Sequence, residues 1–251
     1  MNSNVGIVIL AAGLGTRMKS DKAKVLHEVC GRSMIEHVVE TAVQVAGSNV
    51  VVVVGHQADT VKAVVRRSFQ VHFALQTEQL GTGHAVLCAM PELPDEVQQV
   101  VILCGDVPLI RPTTICNLIQ NHEKRKRDVT LLAVNMHDPA GYGRILCDGD
   151  QNLIGIVEEA DADAEQKEIT LINTGIYAVQ RQFLSEALPQ IGSDNAQKEI
   201  YLTDIIGIGH RQNKSVGTVV GRDSSEIIGV NSPVELQLAE NTMLTRTCEK
   251  S

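Results

Sequence analysis

The chain has 251 residues, 30 acidic against 22 basic side chains, a formal net charge of -8 and 43% hydrophobic residues. That length accommodates one large α/β domain with a substantial core, which three Tyr, three Phe and no Trp require to be aliphatic. The acidic balance argues against general nucleic-acid binding, no run has the pattern of a signal peptide or membrane-spanning helix, and six cysteines without a C-x-x-C argue against zinc and against a disulfide framework. Reduced thiols, a cytoplasmic setting and no membrane or nucleic-acid partner are the expectation.

In chain order, Val5-Gly-Ile-Val-Ile-Leu10 reads as a buried strand that breaks into Ala11-Ala12-Gly13-Leu14-Gly15. No side chain larger than methyl stands between Leu10 and Leu14, so successive backbone N–H groups can face phosphate oxygens. Arg17, Lys19, Lys22 and Lys24 follow against one acid, Asp21. A local positive charge in an acidic chain points to a local anionic partner. The dinucleotide fingerprint G-x-G-x-x-G fails at Met18, and no G-x-x-x-x-G-K-[S/T] run occurs, which excludes the common hydride-transfer and P-loop readings.

Helix and strand then alternate, as a doubly wound sheet requires. Met34, Ile35, Val38, Val39, Ala42 and Val45 form a helical stripe ending at Gly47, and Val50 to Val54 is an all-apolar strand stopped by Gly55. A helix over about 58–67, a strand over 71–75, a helix after Gly81-Thr82-Gly83, a strand over 100–104, a helix over about 112–126 and a strand over 129–134 are predicted next. Continuous apolar strands imply helices on both faces of the sheet. Beyond Asp138 the pattern turns β-rich. Arg144 to Cys147, the turn Asp148-Gly149-Asp150-Gln151 and Leu153 to Val157 predict a hairpin, and a strand is expected over 169–179. Helices near 182–188 and 199–210, a strand over 216–220 and a last helix from Ser232-Pro233 complete the chain. No internal repeat is present.

Asp106 follows the apolar run Val101 to Cys104, at the carboxyl end of a strand, where ligands of open α/β sheets bind. A hard carboxylate there suits Mg²⁺, which takes one or two protein ligands and completes its shell with phosphate oxygens and water; a turn role before Pro108 is the plainer alternative. Asn231-Ser232-Pro233 is a good helix start. Gln76 offers an amide that both donates and accepts. His84, just inside a helix, reads as structural. Lys124-Arg-Lys-Arg127 sits at a predicted helix C-terminus, where cations suit the macrodipole. The eight His form no H-E-x-x-H.

The run Leu10-Ala-Ala-Gly-Leu-Gly-Thr-Arg-Met18 with Lys24-Val25-Leu26 resembles the sugar nucleotidyltransferases, and later motifs narrow the likeness to the bacterial UDP-N-acetylglucosamine pyrophosphorylases. The resemblance implies a single nucleotidyltransferase domain over 1–251: a Rossmann-like, GT-A-like, mostly parallel sheet with helices on both faces. A nucleotide-binding part would cover about 1–135, a small β-rich sugar-binding part about 136–231 and a C-terminal helix 232–251. It implies Mg²⁺-dependent transfer of UMP from UTP to N-acetylglucosamine-1-phosphate, with Arg17, Lys24 and Asp106 catalytic and Asp106 and Asn231 holding the metal. Leu10, Ala11, Ala12, Gly13, Gly15, Lys24, Gln76, Gly81, Thr82 and Gly105 would seat the nucleotide, Gln76 and Gly81-Thr82 reading the uracil. Gly143, Glu158, Asn173 and Thr203 would hold the sugar. Glu158 as a catalytic acid is the sharper alternative, but transfer to an ionised phosphate needs no general base. No hexapeptide repeat follows, so the acetyltransferase β-helix of two-function relatives is not expected. Ala23, where many relatives have Pro, and Cys104, before Gly105-Asp106, depart from the pattern. Another nucleotide and sugar-phosphate pair, or a non-catalytic nucleotide-sugar-binding module, are the alternatives.

Overall fold

Alternating apolar strands and amphipathic helices leave each strand with two faces to cover, and the observed architecture covers both. The computed structural model describes residues 4–150, 152–227 and 229–248. Gln151 of the predicted turn and Ile228 lie outside them. The described elements are β1 (Val5–Ala11), β2 (Glu28–Val29), β3 (Arg32–Ser33), α1 (Met34–Ala46), β4 (Val50–Val54), α2 (Ala58–Arg66), β5 (His72–Leu75), α3 (Thr82–Ala89), β6 (Gln99–Cys104), α4 (Pro112–Arg125), β7 (Val129–Asn135), β8 (Arg144–Cys147), β9 (Leu153–Val157), α5 (Ala164–Lys167), β10 (Leu171–Gln180), α6 (Arg181–Ala187), α7 (Asp204–Arg211), β11 (Val216–Val220) and α8 (Pro233–Cys248). No described helix is long and apolar enough to cross a membrane.

The main sheet runs β11-β7-β10-β6-β1-β4-β5, with β8 joining β10 and β9. β1 pairs in parallel with β4 and β6, β4 with β5, and β7 with β11. β10 lies between β6 and β7 and runs antiparallel to both, so the strand predicted over 169–179 stands inside the sheet. Alternate side chains of β1 divide the core: Val5, Ile7 and Ile9 pack with Val38, Val61 and Ile115 of α1, α2 and α4. Val8 packs on the other face with Val86, Phe183 and Ile205 of α3, α6 and α7. A third cluster, Val29, Met34, Leu109, Val230 and Ala239, ties α8 to the β2–β3 hairpin.

Two sequence expectations shift. The helix expected over 199–210 starts only at Asp204. The backbone before it is spent on another segment: Ile200 N–H donates to Leu80 O at 2.7 Å and Gly83 N–H to Ile200 O at 2.8 Å, and a turn at Leu202 and Thr203 then leads into the helix. Short α5 was not expected; Asp163 and Gln166 cap it reciprocally, with Gln166 N–H donating to Asp163 Oδ1 at 2.8 Å. Among the described side chains Cys30, Cys88, Cys104, Cys116 and Cys147 carry free thiols. α4 ends at Arg125 with His122, Lys124 and Arg125 in its last turn, which accounts for the basic run there.

His122 shows what the core demands of a polar group. It is 0% exposed, its Nδ1 lies 2.9 Å from Thr130 Oγ1 and its Nε2 3.2 Å from Gln180 Nε2. Burial, with Arg127 adding and Asp128 opposing, lowers its pKa to about 4. Because the folded pKa lies below the unfolded one, the unfolded chain takes up the proton first as pH falls, and stability drops below pH about 6.5. Urea unfolding should show a loss of about 2 kcal/mol between pH 7 and pH 5 that His122→Leu lacks; equal pH slopes for the two proteins would refute it.

Candidate active site

Register brings the site together at one edge of the sheet. Leu10 pairs with Cys104, Ala11 with Val54 and Val54 with Leu75, so the segments that follow β1, β4, β5 and β6 leave the sheet side by side at their carboxyl ends. β10 is antiparallel, and its starting half reaches the same edge: Tyr177 pairs with Ile102, and Cys104 Sγ donates to Gly175 O at 3.7 Å.

A cleft of about 430 Å³ opens there. Of the residues predicted to seat a nucleotide, Leu10, Ala11, Ala12, Gly13, Gly15, Lys24, Gln76, Gly81 and Thr82 line it, with Asp106. Gly105 sits behind it, donating its N–H to Leu10 O at 2.9 Å. Gly15 has φ +66°, and a Cβ there would come within 2.5 Å of Lys24 Cβ, so a side chain would push Lys24 from its place.

Lys24 is the hub. Its Nζ pairs with Asp106 Oδ2 and donates to Asn231 Oδ1 at 3.1 Å; Arg17 Nη2 donates to the same oxygen at 2.8 Å. Asp106 and the 229–231 segment are pinned by Val230 N–H donating to Asp106 O at 2.8 Å. Ser232 Oγ, not Asn231, accepts from Glu235 N–H at the start of α8, so the asparagine carboxamide oxygen is turned to the two cations instead of capping the helix. Asp106 Oδ2 and Asn231 Oδ1 thus converge on one ammonium. A carboxylate and an amide oxygen aimed at a common cation are the donor types that hard divalent ions take, and a site supplying only two leaves the other positions to phosphate and water. No group of three or more His, Cys, Asp or Glu among the described residues could hold a metal alone.

The residues predicted to hold the sugar form a second group. Asn173 N–H donates to Gly143 O at 2.8 Å, and Asn173 Oδ1 accepts from Gly175 N–H at 2.9 Å and Tyr177 Oη–H at 3.0 Å. The β10 register breaks between Asn173 and Tyr177, a bulge that turns the strand start toward the site. Glu158 lies against Gly143, whose hypothetical Cβ would be 3.1 Å from Glu158 Oε2. Burial pushes the Glu158 pKa up, with the nearby Thr203 hydroxyl opposing and Asp161, Asp204 and Glu199 adding. That hydroxyl is buried and makes no hydrogen bond of normal length and angle.

Sequence reasoning gave no site role to Tyr142, Gln79, Cys104 or Glu199. Gln79, Cys104 and Glu199 line the cleft. Tyr142 links the two groups: burial, Glu235 and Asp106 raise its pKa to about 12, with Arg17 and the Gly229 backbone opposing. Buried Arg144 fixes the loop under it, pairing with Glu159 Oε2 at 2.8 Å and donating to Tyr142 O. In the sequence only Gly143 marked this loop. Cys104, packed under Gly175, has its thiol pushed up to about 12 by burial, with Asp106 adding and Lys24 opposing. Ala23, buried, donates its N–H to Gln57 Oε1 at 3.0 Å, a bond that proline could not make.

Residues 7–174 match the family described as MobA-like NTP transferase domain. The chain is 47% identical over 248 residues to Bifunctional protein GlmU of Syntrophotalea carbinolica, covering 99% of this chain and 53% of that one. It is 42% identical to Bifunctional protein GlmU of Desulfotalea psychrophila over 96% of this chain and 71% of that one. The chain therefore spans about half the length of the first of these relatives and somewhat more of the second. Among solved structures, HddC from Yersinia pseudotuberculosis complexed with GMP-PN shares the fold at a TM-score of 0.71 and 20% identity, over 95% of this chain and 99% of that one.

Gly81 tests the geometry of the loop. Its φ is +109°, and a Cβ would meet Ile200 O at 2.6 Å and Ile200 N at 2.8 Å. Gly81→Ala should lower stability by about 1–3 kcal/mol in thermal or urea unfolding. Gly13→Ala, with nothing within 4 Å of the added methyl, should stay within about 0.5 kcal/mol of wild type.

Proposed function

This chain belongs to the MobA-like NTP transferase domain family and to the relatives named Bifunctional protein GlmU, and from that premise we propose that it transfers UMP from UTP to N-acetylglucosamine-1-phosphate, releasing pyrophosphate. The observation that carries the reading is the Lys24 ammonium between Asp106 and Asn231, with Arg17 on the same amide oxygen, beside a cleft lined in part by the small-residue loop Ala11-Ala12-Gly13 and Gly15.

The obstacle to such a reaction is the meeting of two polyanions. Arg17 and Lys24 offset the charge of the triphosphate and of the leaving pyrophosphate, and the amides of Ala12 to Gly15 face its oxygens. Asp106 and Asn231 are the residues that would hold Mg²⁺, which when bound supplies Lewis-acid charge neutralisation at the reacting phosphates. Gln76, Gly81 and Thr82 receive the uracil. Gly143, Glu158, Asn173 and Thr203 receive the neutral sugar, whose hydroxyls and amide suit buried hydrogen-bonding groups that are costly to leave without partners. Positioning and electrostatics suffice, and no covalent intermediate is needed. The N-acetylglucosamine-1-phosphate oxygen attacks the α-phosphorus, the α–β bridging P–O bond breaks, and pyrophosphate departs with that electron pair. The free thiols fit a reduced, cytoplasmic setting.

Pyrophosphate release from UTP and N-acetylglucosamine-1-phosphate tests the reading. Lys24→Ala and Asp106→Ala should each lower turnover by about 100-fold or more with the circular dichroism spectrum of the folded protein unchanged, even though loss of one partner of this largely buried pair lowers the melting temperature. Release should stop on chelation with EDTA and return with added Mg²⁺. Wild-type rates from either variant, or faster release with another nucleotide and sugar-phosphate pair, would overturn it.

A further inference from the structure

Gln76 lies where β5 opens into the cleft, and it is 4% exposed. A carboxamide there could present either its oxygen or its amino group to a ligand, and the two choices select opposite bases. Two acceptors settle the matter. Gln76 Nε2 donates to the Gly81 carbonyl oxygen at 3.0 Å, and a carbonyl oxygen can only accept. The same Nε2 lies 3.1 Å from His84 Nδ1. Both amide protons are thereby used, so His84 Nδ1 must be the unprotonated ring nitrogen. Its proton belongs on Nε2, which faces Cys88 Sγ at 3.7 Å, a weak acceptor that suits it. Gln76 Oε1 receives no hydrogen bond from the described residues and remains for a ligand.

We propose that His84 is a positioning residue that sets base selectivity: with Gly81 O it locks the Gln76 amide so that the cleft presents an acceptor. An acceptor there pairs with a base carrying an imino N–H, such as uracil or thymine at N3. Cytosine has a lone pair at N3, and two acceptors would face each other. Losing His84 removes one of the two restraints, and the amide can then turn its amino group to the cleft. His84 touches neither reacting atoms nor phosphate; it sits on the first turn of α3 and acts only through Gln76. The inference rests on the nucleotide placement proposed above.

The experiment compares wild type with His84→Leu, His84→Gln and His84→Asn, reading kcat/KM for UTP and CTP by pyrophosphate release and nucleotide binding by calorimetry without the sugar phosphate. His84→Leu and His84→Gln, which offer no acceptor at the Nδ1 position, should lower the UTP-over-CTP ratio by about 10-fold, the size expected for one orienting hydrogen bond. The loss should fall on KM for UTP. His84→Asn, whose Oδ1 can stand where Nδ1 was, should keep the wild-type ratio. A ratio unchanged in both His84→Leu and His84→Gln, or a wild-type protein that binds CTP as tightly as UTP, overturns the inference. If His84→Leu does not fold, His84→Gln alone decides. Binding selectivity that follows this pattern in a protein without turnover would refute the proposed reaction and uphold the role of His84.

Discussion

The structure depends on a shared cation. Asp106 Oδ2 and Asn231 Oδ1 point at the same place, and two oxygens so aimed would repel each other with nothing positive between them. The Lys24 ammonium fills that place. The Lys24 and Asp106 side chains are only 18% and 16% exposed, where removing one partner costs more than it would at the surface because the charge left behind is poorly solvated. The three groups are far apart in sequence, so the arrangement constrains the chain broadly. The β1 loop, the end of β6 and the segment before α8 must all finish at one edge. Gly15 must be small so that Lys24 can lie across it, and Val230 N–H must reach the Asp106 carbonyl.

A wholly parallel sheet brings to that edge only the segments that follow its strands. The antiparallel β10 adds something different, the residues with which a strand begins. Its bulge between Asn173 and Tyr177 then shapes that start, with the Asn173 carboxamide oxygen held by Gly175 and Tyr177. One reversed strand between β6 and β7 is thus what puts Asn173 and Gly143 beside a site whose other half is built from parallel β1, β4, β5 and β6.

The parts legible in the sequence are those whose cause is local. The apolar run of β1, the bare amides after it, the Val50 to Val54 strand and the carboxylate after β6 each carry their own signature, and all lie where composition and spacing put them. What escaped has a cause elsewhere in the chain. The stretch before α7 has helical composition, but its backbone hydrogen bonds go to Leu80, Thr82 and Gly83, with Leu202 reaching Thr82 across 120 residues. The direction of β10 follows from its neighbours and not from its residues. Tyr142 matters through its nearness to Asp106, which no spacing announces. His84 reads as structural because the Gln76 amide and Gly81 carbonyl that give it meaning are fixed only by the turn between β5 and α3. Asn231 stood between a cap and a ligand on sequence grounds, and it is Ser232 Oγ that accepts from Glu235 N–H at the start of α8.

The two halves of the site also differ in sign, and that difference can orient a ligand before any contact forms. Arg17 and Lys24 mark one end. At the other, in a neighbouring hollow, Glu158 and Asp204 are carboxyl groups whose pKa values burial raises, so they hold negative charge reluctantly and accept or donate hydrogen bonds readily. A phosphate finds attraction at the first end and repulsion or poor solvation at the second. A neutral hydroxyl finds the reverse. On the placement proposed above, a molecule with a charged head and a neutral polar body would favour the direction that sets the head toward Arg17 and Lys24. Reversing it would place a phosphate among carboxyl groups at a cost of several kcal/mol for like charges in contact. Charge placement alone would thus orient a ligand of that kind before any hydrogen bond to its neutral part forms.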